Sequence, residues 1–355
     1  IANAIKAVAT STGPDLIQSG SDQVRLLSDE EGVVANMLDF MSEEEGVWYE
    51  DFYPGFIDSY RQTLADGTDY LAALPMGTST PVLYCNKTLL DEHGLEIPTT
   101  WEEMEAVCAA LVDGGHTEYG FAQPRDSWYF WMIIPNYGGM EVFSEDGLTL
   151  HSRDAGIPAF EFLRGLAEKK YFYPGPATDG GTIITQMMQS QNLAFYINSI
   201  GGLANMETAA AEGGYELVVS GIPGGVINSV PSGGNSLVIL ESSANQDACW
   251  EFVKWLYTAE EGIAYFDARS GYLACTDTIK NSALIQEKIA DNANYANAYN
   301  FIENVNNNHR ITGESDIATD VMTFMDAVFY DLEDVAEQWD YLEANVNEKL
   351  KEANE

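Results

Sequence analysis

The residues best suited to holding a small polar solute lie at junctions between apolar runs and polar loops. Leu74–Lys87 reads L-P-M-G-T-S-T-P-V-L-Y-C-N-K, two apolar runs about the polar stretch Gly77-Thr78-Ser79-Thr80. Three hydroxyls beside a glycine supply donors and acceptors where another group can approach the backbone closely. The same pattern also suits the turn of a hairpin. Asn192–Ile197 reads as a strand that ends in Asn198-Ser199-Ile200-Gly201-Gly202, ahead of a helix opening at Leu203. A hydroxyl beside the free N–H groups of a helix start can bind an anion or a polyol, and it can equally be a plain N-cap.

Five further stretches carry groups that could meet a solute. Gly233-Gly234 opens the strand-like run through Ile239, which marks a bend or a close backbone approach. In Ser270-Gly271-Tyr272-Leu273 the glycine suits a helix C-cap, after which Tyr272 can fold back on that helix. Arg310 sits in the polar loop Asn306–Gly313; its guanidinium fork matches a phosphate bidentately, although a solvated arginine is the plainer reading. Ser21 and Asp22 follow the short strand Asp15–Ser19 at its C-terminal end, where open α/β sheets bind ligands and where helices are also capped. The turn Pro124-Arg125-Asp126-Ser127 leads into Trp128-Tyr129-Phe130-Trp131, either core or a wall that stacks on the C–H faces of a ligand.

The elements that must position these groups read as alternating helices and strands, an α/β organisation. Thr100-x-x-Glu103 is a capping box ahead of Met104, Val107, Cys108 and Leu111, so Cys108 faces a core. Helices are expected over 154–170 and Thr182–Gln189, and strands over Tyr119–Gln123 and Tyr215–Ile222. Tyr49, Phe52, Tyr53, Phe56 and Tyr60 recur at roughly helical spacing, as a core stripe does. From Val321 to Val346 the apolar residues run in 4-3 spacing, as in a coiled coil.

Composition removes several classes of function. The 355 residues are 46% hydrophobic and 20% charged, enough for two cores. Sixteen basic against 56 acidic residues give a formal net charge of −40, which repels phosphate backbones and anionic membranes; nucleic acid is not a partner. The same field means that an anionic ligand needs a strong local cation. The four cysteines show no C-x-x-C spacing and the four histidines no H-x-x-x-H spacing, so no metal site or cofactor is expected. Neither a G-x-x-x-x-G-K-[ST] loop nor a G-x-S-x-G elbow occurs. An enzyme such as a glycoside hydrolase remains the distant alternative, because 56 carboxylates guarantee many close pairs without indicating a reaction. No run of 18 apolar residues is present.

The run T-S-T-P-V-L-Y-C-N-K through P-T-T-W-E-E-M, with the strand–Ser–Gly–helix element at Ser199, the G-G-x-S-L segment at Gly233 and S-G-Y-L at Ser270, resembles the extracellular solute-binding proteins of ABC importers. Within them the chain is similar to the branch that binds glycerol-3-phosphate and glycerophosphodiesters, itself similar to the maltose-binding proteins. The resemblance implies a two-lobed periplasmic-binding-protein fold of type II, with a hinge and an interlobe cleft. It places one lobe in 1–87 plus 238–290 and the other in 88–237 plus 291–355, and a turn near Asp331–Asp334 makes the C-terminal apolar pattern two helices packing on a lobe instead of a coiled coil. It implies no catalysis and no cofactor, a monomer working with ABC permease subunits, and an extracytoplasmic location, periplasmic or as a surface lipoprotein. Ser79, Ser199, Tyr272 and the Gly234 backbone would hydrogen-bond the ligand, Arg310 would carry a phosphate, and Trp128 would cover the glycerol carbons. A family glutamate falls on Ser21, beside Asp22, which alters polyol recognition and keeps a sugar or oligosaccharide as the alternative ligand. Ile1–Ala9 reads as the middle of a helix, so an upstream strand and helix are expected.

Overall fold

The computed structural model describes residues 13–20, 23–28, 32–64, 66–225, 229–266, 271–306, 311 and 313–354. The helix expected over Ala2–Ala9 and the candidates Ser21, Asp22 and Arg310 lie outside the described residues. The chain divides into two compact units, Ile1–Ser79 with Ser232–Ser315 and Thr80–Pro231 with Asp316–Glu355. The sequence reading placed the corresponding breaks after residues 87, 237 and 290.

Strands in chain order are β1 Leu16–Gly20, β2 Arg61–Thr63, β3 Asp69–Leu71, β4 Leu74–Ser79 and β5 Pro81–Asn86, then β6 Tyr119–Gln123, β7 Phe172–Pro174, β8 Leu193–Ser199, β9 Leu217–Ser220 and β10 Gly233–Ile239. The hairpin reading of Leu74–Lys87 is corrected here. β4 pairs with β10 in the first unit, whereas β5 pairs with β8 and β9 in the second, so consecutive strands belong to different sheets. Gly77-Thr78-Ser79 completes β4 instead of forming a loop, and every residue of both strands is buried. The hydroxyls tolerate burial because backbone carbonyls accept from them: Thr78 Oγ1 donates to Leu273 O at 3.0 Å and Thr80 Oγ1 to Pro231 O at 3.3 Å.

The first unit holds an antiparallel sheet in the order β1-β10-β4 and the β2-β3 hairpin. The aromatic stripe expected on one helix is instead broken. A 3₁₀ turn spans Tyr49–Asp51, a short helix Pro54–Ile57, and a second 3₁₀ turn Asp58–Tyr60. Pro54 lacks an N–H and its ring crowds the preceding turn, so it suits the opening of a helix far better than the interior of one. Phe52, Phe56 and Tyr60 still reach the core. Tyr49 and Tyr53 are half-buried and donate their hydroxyls to Asp58 and Asp277, each at 2.7 Å.

The second unit holds a five-stranded sheet ordered β7-β6-β8-β5-β9. β6 runs parallel to β7 and β8, and β5 antiparallel to β8 and β9. The capping box forms at the helix Trp101–Asp113: Thr100 accepts from Glu103 N, and the Glu103 carboxylate accepts from Thr100 N. The C-terminal pattern resolves into two helices, Glu314–Phe329 and Val335–Ala353. Trp339 of the second is fully buried and stacks on Phe130 with ring centroids 5.8 Å apart. Gly156 makes room for it, since a Cβ there would lie 1.9 Å from the indole. Burying a ring of this size contributes on the order of 3 kcal/mol. All four cysteines are free and buried, and burial pushes the Cys85 and Cys108 thiols up, which leaves them inert. No described helix is long and apolar enough to cross a membrane.

Candidate functional site

In the first unit, Ser79, Gly234 and Tyr272 meet at one corner of the antiparallel sheet. Ser79 is opposite Gly233 and Gly234 opposite Thr78, after which the register shifts between Gly234 and Asn235. Gly77 has φ +60°, so it is a left-handed glycine at a bulge, which bends the strand locally. Gly234 has φ +111°, and a Cβ there would lie 2.2 Å from Gly77 O. Thr78 and Leu273 form an antiparallel bridge, with Leu273 N donating to Thr78 O at 2.7 Å and Thr78 N to Leu273 O at 3.2 Å. That bridge sets Tyr272 against Gly77, where a Cβ would be 3.2 Å from the ring. Tyr295 donates its hydroxyl to Tyr272 O at 3.0 Å, and Tyr299 accepts from Ala274 N at 2.9 Å. Tyr272 is therefore fixed through the backbone on both sides.

In the second unit, Ser199 ends β8 and caps a 3₁₀ turn, Ile200–Gly202, that runs into the helix Leu203–Gly213; its Oγ accepts from Gly201 N at 3.0 Å. Asn198 is the hub beside it. Its Oδ1 accepts from Ser199 N at 2.8 Å and from the Tyr129 hydroxyl at 3.1 Å, and its Nδ2 donates to the Tyr196 hydroxyl at 2.6 Å. Tyr84 donates to Ser199 O at 2.7 Å. Burial pushes the Tyr84, Tyr129 and Tyr196 hydroxyls up from the ordinary tyrosine range, so all three are neutral phenols. Trp128 adjoins this network: its ring meets that of Tyr129 edge-on at 5.7 Å. Of the aromatic run, Tyr129, Phe130 and Trp131 are buried and Trp128 is half-buried, so the run is both core and surface.

The structure thus gathers three sequence candidates in the first unit and two in the second. Asn198, Tyr129, Tyr84 and Tyr196 were missed as site residues. Asn198 and Tyr129 each adjoin a named candidate, and a polar side chain inside an otherwise apolar strand or cluster was the available signal. Arg125, in the turn that reads as leading into either core or a ligand-facing wall, donates to Asp326 at 2.6 Å within its own unit. The corners offer neutral hydroxyl, amide and aromatic groups, the set that grips hydroxyl-rich molecules. No group of three or more His, Cys, Asp or Glu side chains able to hold a metal occurs among the described residues.

Comparison with known proteins places the chain among solute-binding proteins. Over 291 residues the chain is 23% identical to the maltotriose-binding protein of Pyrococcus abyssi, covering 80% of this chain and 60% of that protein. Over 267 residues it is 24% identical to the sn-glycerol-3-phosphate-binding periplasmic protein UgpB of Agrobacterium fabrum, covering 71% of this chain and 59% of that protein. The chain therefore spans about 60% of the length of these curated relatives. The solved structure of the sugar-binding protein MalE from Xanthomonas citri superposes with a TM-score of 0.82 at 21% identity, covering 98% of this chain and 86% of that one. The fold is thus the α/β fold of the maltose-binding-protein-like periplasmic binding proteins. The family model for bacterial extracellular solute-binding proteins matches residues 2–263, and the chain belongs to that family.

Proposed function

We propose that this protein is the solute-binding receptor of an ABC importer, without catalytic activity of its own, and that it takes a small hydroxyl-rich solute outside the cytoplasm and passes it to a membrane permease. The observation that carries the ligand class is the Asn198 hub, which ties Ser199, Tyr129 and Tyr196 into one set of neutral donors and acceptors beside Trp128. In the second unit the solute contacts we propose are Ser199 and Trp128; in the first unit they are Ser79, Tyr272 and the Gly234 backbone.

Two ligands fit that class. A glycerol-3-phosphate or glycerophosphodiester needs a cation in so acidic a chain, and Arg310 is the residue that the family resemblance assigns to it. A sugar or oligosaccharide needs none, and the uncharged, half-buried Asn198 and Ser199 beside Trp128 favour this second reading. Binding to the folded state raises the melting temperature by mass action, so a thermal-shift series with glycerol-3-phosphate, glycerophosphocholine and maltotriose tests both. One of the probes raises the melting temperature, and Trp128→Ala weakens its binding about tenfold. Arg310→Ala abolishes a phosphate-ligand shift and leaves a maltotriose shift intact. Absence of a shift with all three solutes would overturn the ligand class.

A further inference from the structure

The turn that delivers Trp128 is only four residues long, and its one cationic side chain does not face outward as a surface arginine would. Arg125 Nη1 donates to Asp326 Oδ2 at 2.6 Å and to the Met322 carbonyl at 3.2 Å, with the Arg125 side chain only 17% exposed. Both acceptors lie on the helix Glu314–Phe329 of the same unit. The Met322 carbonyl belongs to the helix interior, so the arginine adds a bond to a group that the helix already employs. One residue on, Asp126 caps the helix Ser127–Ile133 in extended geometry, and its Oδ1 accepts from Trp128 N at 2.8 Å. The start of the turn is held as well. Gly175 N donates to Gln123 O at 2.8 Å, and the Tyr330 hydroxyl donates to Pro174 O at 2.7 Å, from just beyond that same helix.

We infer that Arg125 and Asp326 are positioning residues for solute binding: their ion pair ties the Trp128 turn to the C-terminal helix and sets the angle at which the indole meets the solute. The role of Trp128 in this rests on the function proposed above; the tether itself does not. An exposed ion pair contributes little, but this one is half-buried and backed by a carbonyl, and side chains that share a charge-assisted bond of good geometry hold direction as well as distance. Desolvation raises the Asp326 carboxyl despite the arginine beside it. The other charges facing it are Asp331, which raises the carboxyl further, and Arg125 itself.

The test is fluorine NMR on protein labelled with 5-fluorotryptophan, which gives one signal for each of the seven tryptophans, with that of Trp128 assigned by Trp128→Phe. Asp326→Asn, which keeps the side-chain shape, shifts and broadens the Trp128 signal and leaves the other six in place. Arg125→Ala does the same more strongly, and the reversed pair Arg125→Asp with Asp326→Arg restores a sharp line. For whichever of glycerophosphocholine or maltotriose binds the wild type, Asp326→Asn weakens binding about tenfold, and by nothing further in a Trp128→Ala background. An unmoved Trp128 signal in both single variants overturns the tether, as does a shift of all seven signals together. Failure of both solutes to bind wild-type protein would sink the proposed function instead, while the NMR signals still decide the tether.

Discussion

The two corners hold their polar groups by opposite means. At Gly77, Gly234 and Tyr272 the first unit works by leaving side chains out: two left-handed glycines bring backbone against backbone and leave a bed for one ring. At Tyr84, Tyr129, Tyr196 and Asn198 the second unit works by burying large polar side chains and pairing each hydroxyl. The first arrangement is intolerant of any added atom, because what would have to yield is backbone. The second is intolerant of any removed partner, because a buried phenol left alone loses its hydration without recompense. Substitutions that add a methyl group and substitutions that delete a hydrogen bond should therefore separate the two units.

The largest effect is expected from Gly234→Ala. A Cβ would sit 2.2 Å from Gly77 O at φ +111°, so both strain and clash apply, and about 3 kcal/mol of stability is lost. In calorimetry the transition of the first unit falls by roughly 6–12 °C while that of the second stays in place. Gly77→Ala, with its Cβ 3.2 Å from the Tyr272 ring, has a smaller effect, since a side chain can move where a carbonyl cannot. Equal losses in the two variants would break the contrast, by showing that the ring is as rigid as the strand.

The same contrast explains what the sequence disclosed. The capping box at Thr100 and Glu103 and the strand over Tyr119–Gln123 follow from local signals, and the chain forms them, whereas the break between the two C-terminal helices followed from the family resemblance and not from the 4-3 spacing. The assignment of β4 and β5 to separate sheets was not legible, because strand partners lie far away in sequence: Gly233 for Ser79, Ser199 for Pro81. Gly77-Thr78-Ser79 looked like a loop because hydroxyls and glycine mark turns locally, and nothing local reveals that Leu273 O awaits Thr78. Candidate residues were recognisable one motif at a time. The Asn198 hub joins residues 84, 129, 196 and 199, a set that only the folded sheet assembles.

The second unit should respond to deletion instead. Asn198→Leu keeps approximate volume but removes the acceptor of the buried Tyr129 hydroxyl and the partner of Tyr196. Leaving one such group unsatisfied costs about 2 kcal/mol, so the transition of the second unit falls by roughly 4–8 °C and that of the first does not. Tyr84→Phe removes a single 2.7 Å bond to Ser199 O and costs about 1 kcal/mol. If the hub acts as one network, the double variant loses less than the sum of the two single losses. Strict additivity in thermal melts would mean that the hydroxyls are satisfied one by one, and the second corner would then differ from the first only in residue type.

The smallest effect at neutral pH, and the one most specific to the second corner, comes from ionisation. Burial raises Tyr84, Tyr129 and Tyr196, whereas an unfolded tyrosine titrates near pH 10. The folded state therefore holds these protons more tightly than the unfolded chain. Their contribution is fully present below about pH 10 and is lost as pH rises above it, at up to about 1.4 kcal/mol per pH unit for each phenol. Removing one of them lowers that slope, so Tyr84→Phe, slightly less stable than wild type at pH 7, loses stability less steeply above pH 10. Following phenolate absorbance alongside unfolding checks this: the buried hydroxyls ionise only as the second unit unfolds. A wild-type protein whose tyrosines all titrate near pH 10 while it stays folded would mean that water reaches the hub, and the contrast between a corner made of empty space and one made of enclosed hydroxyls would not survive.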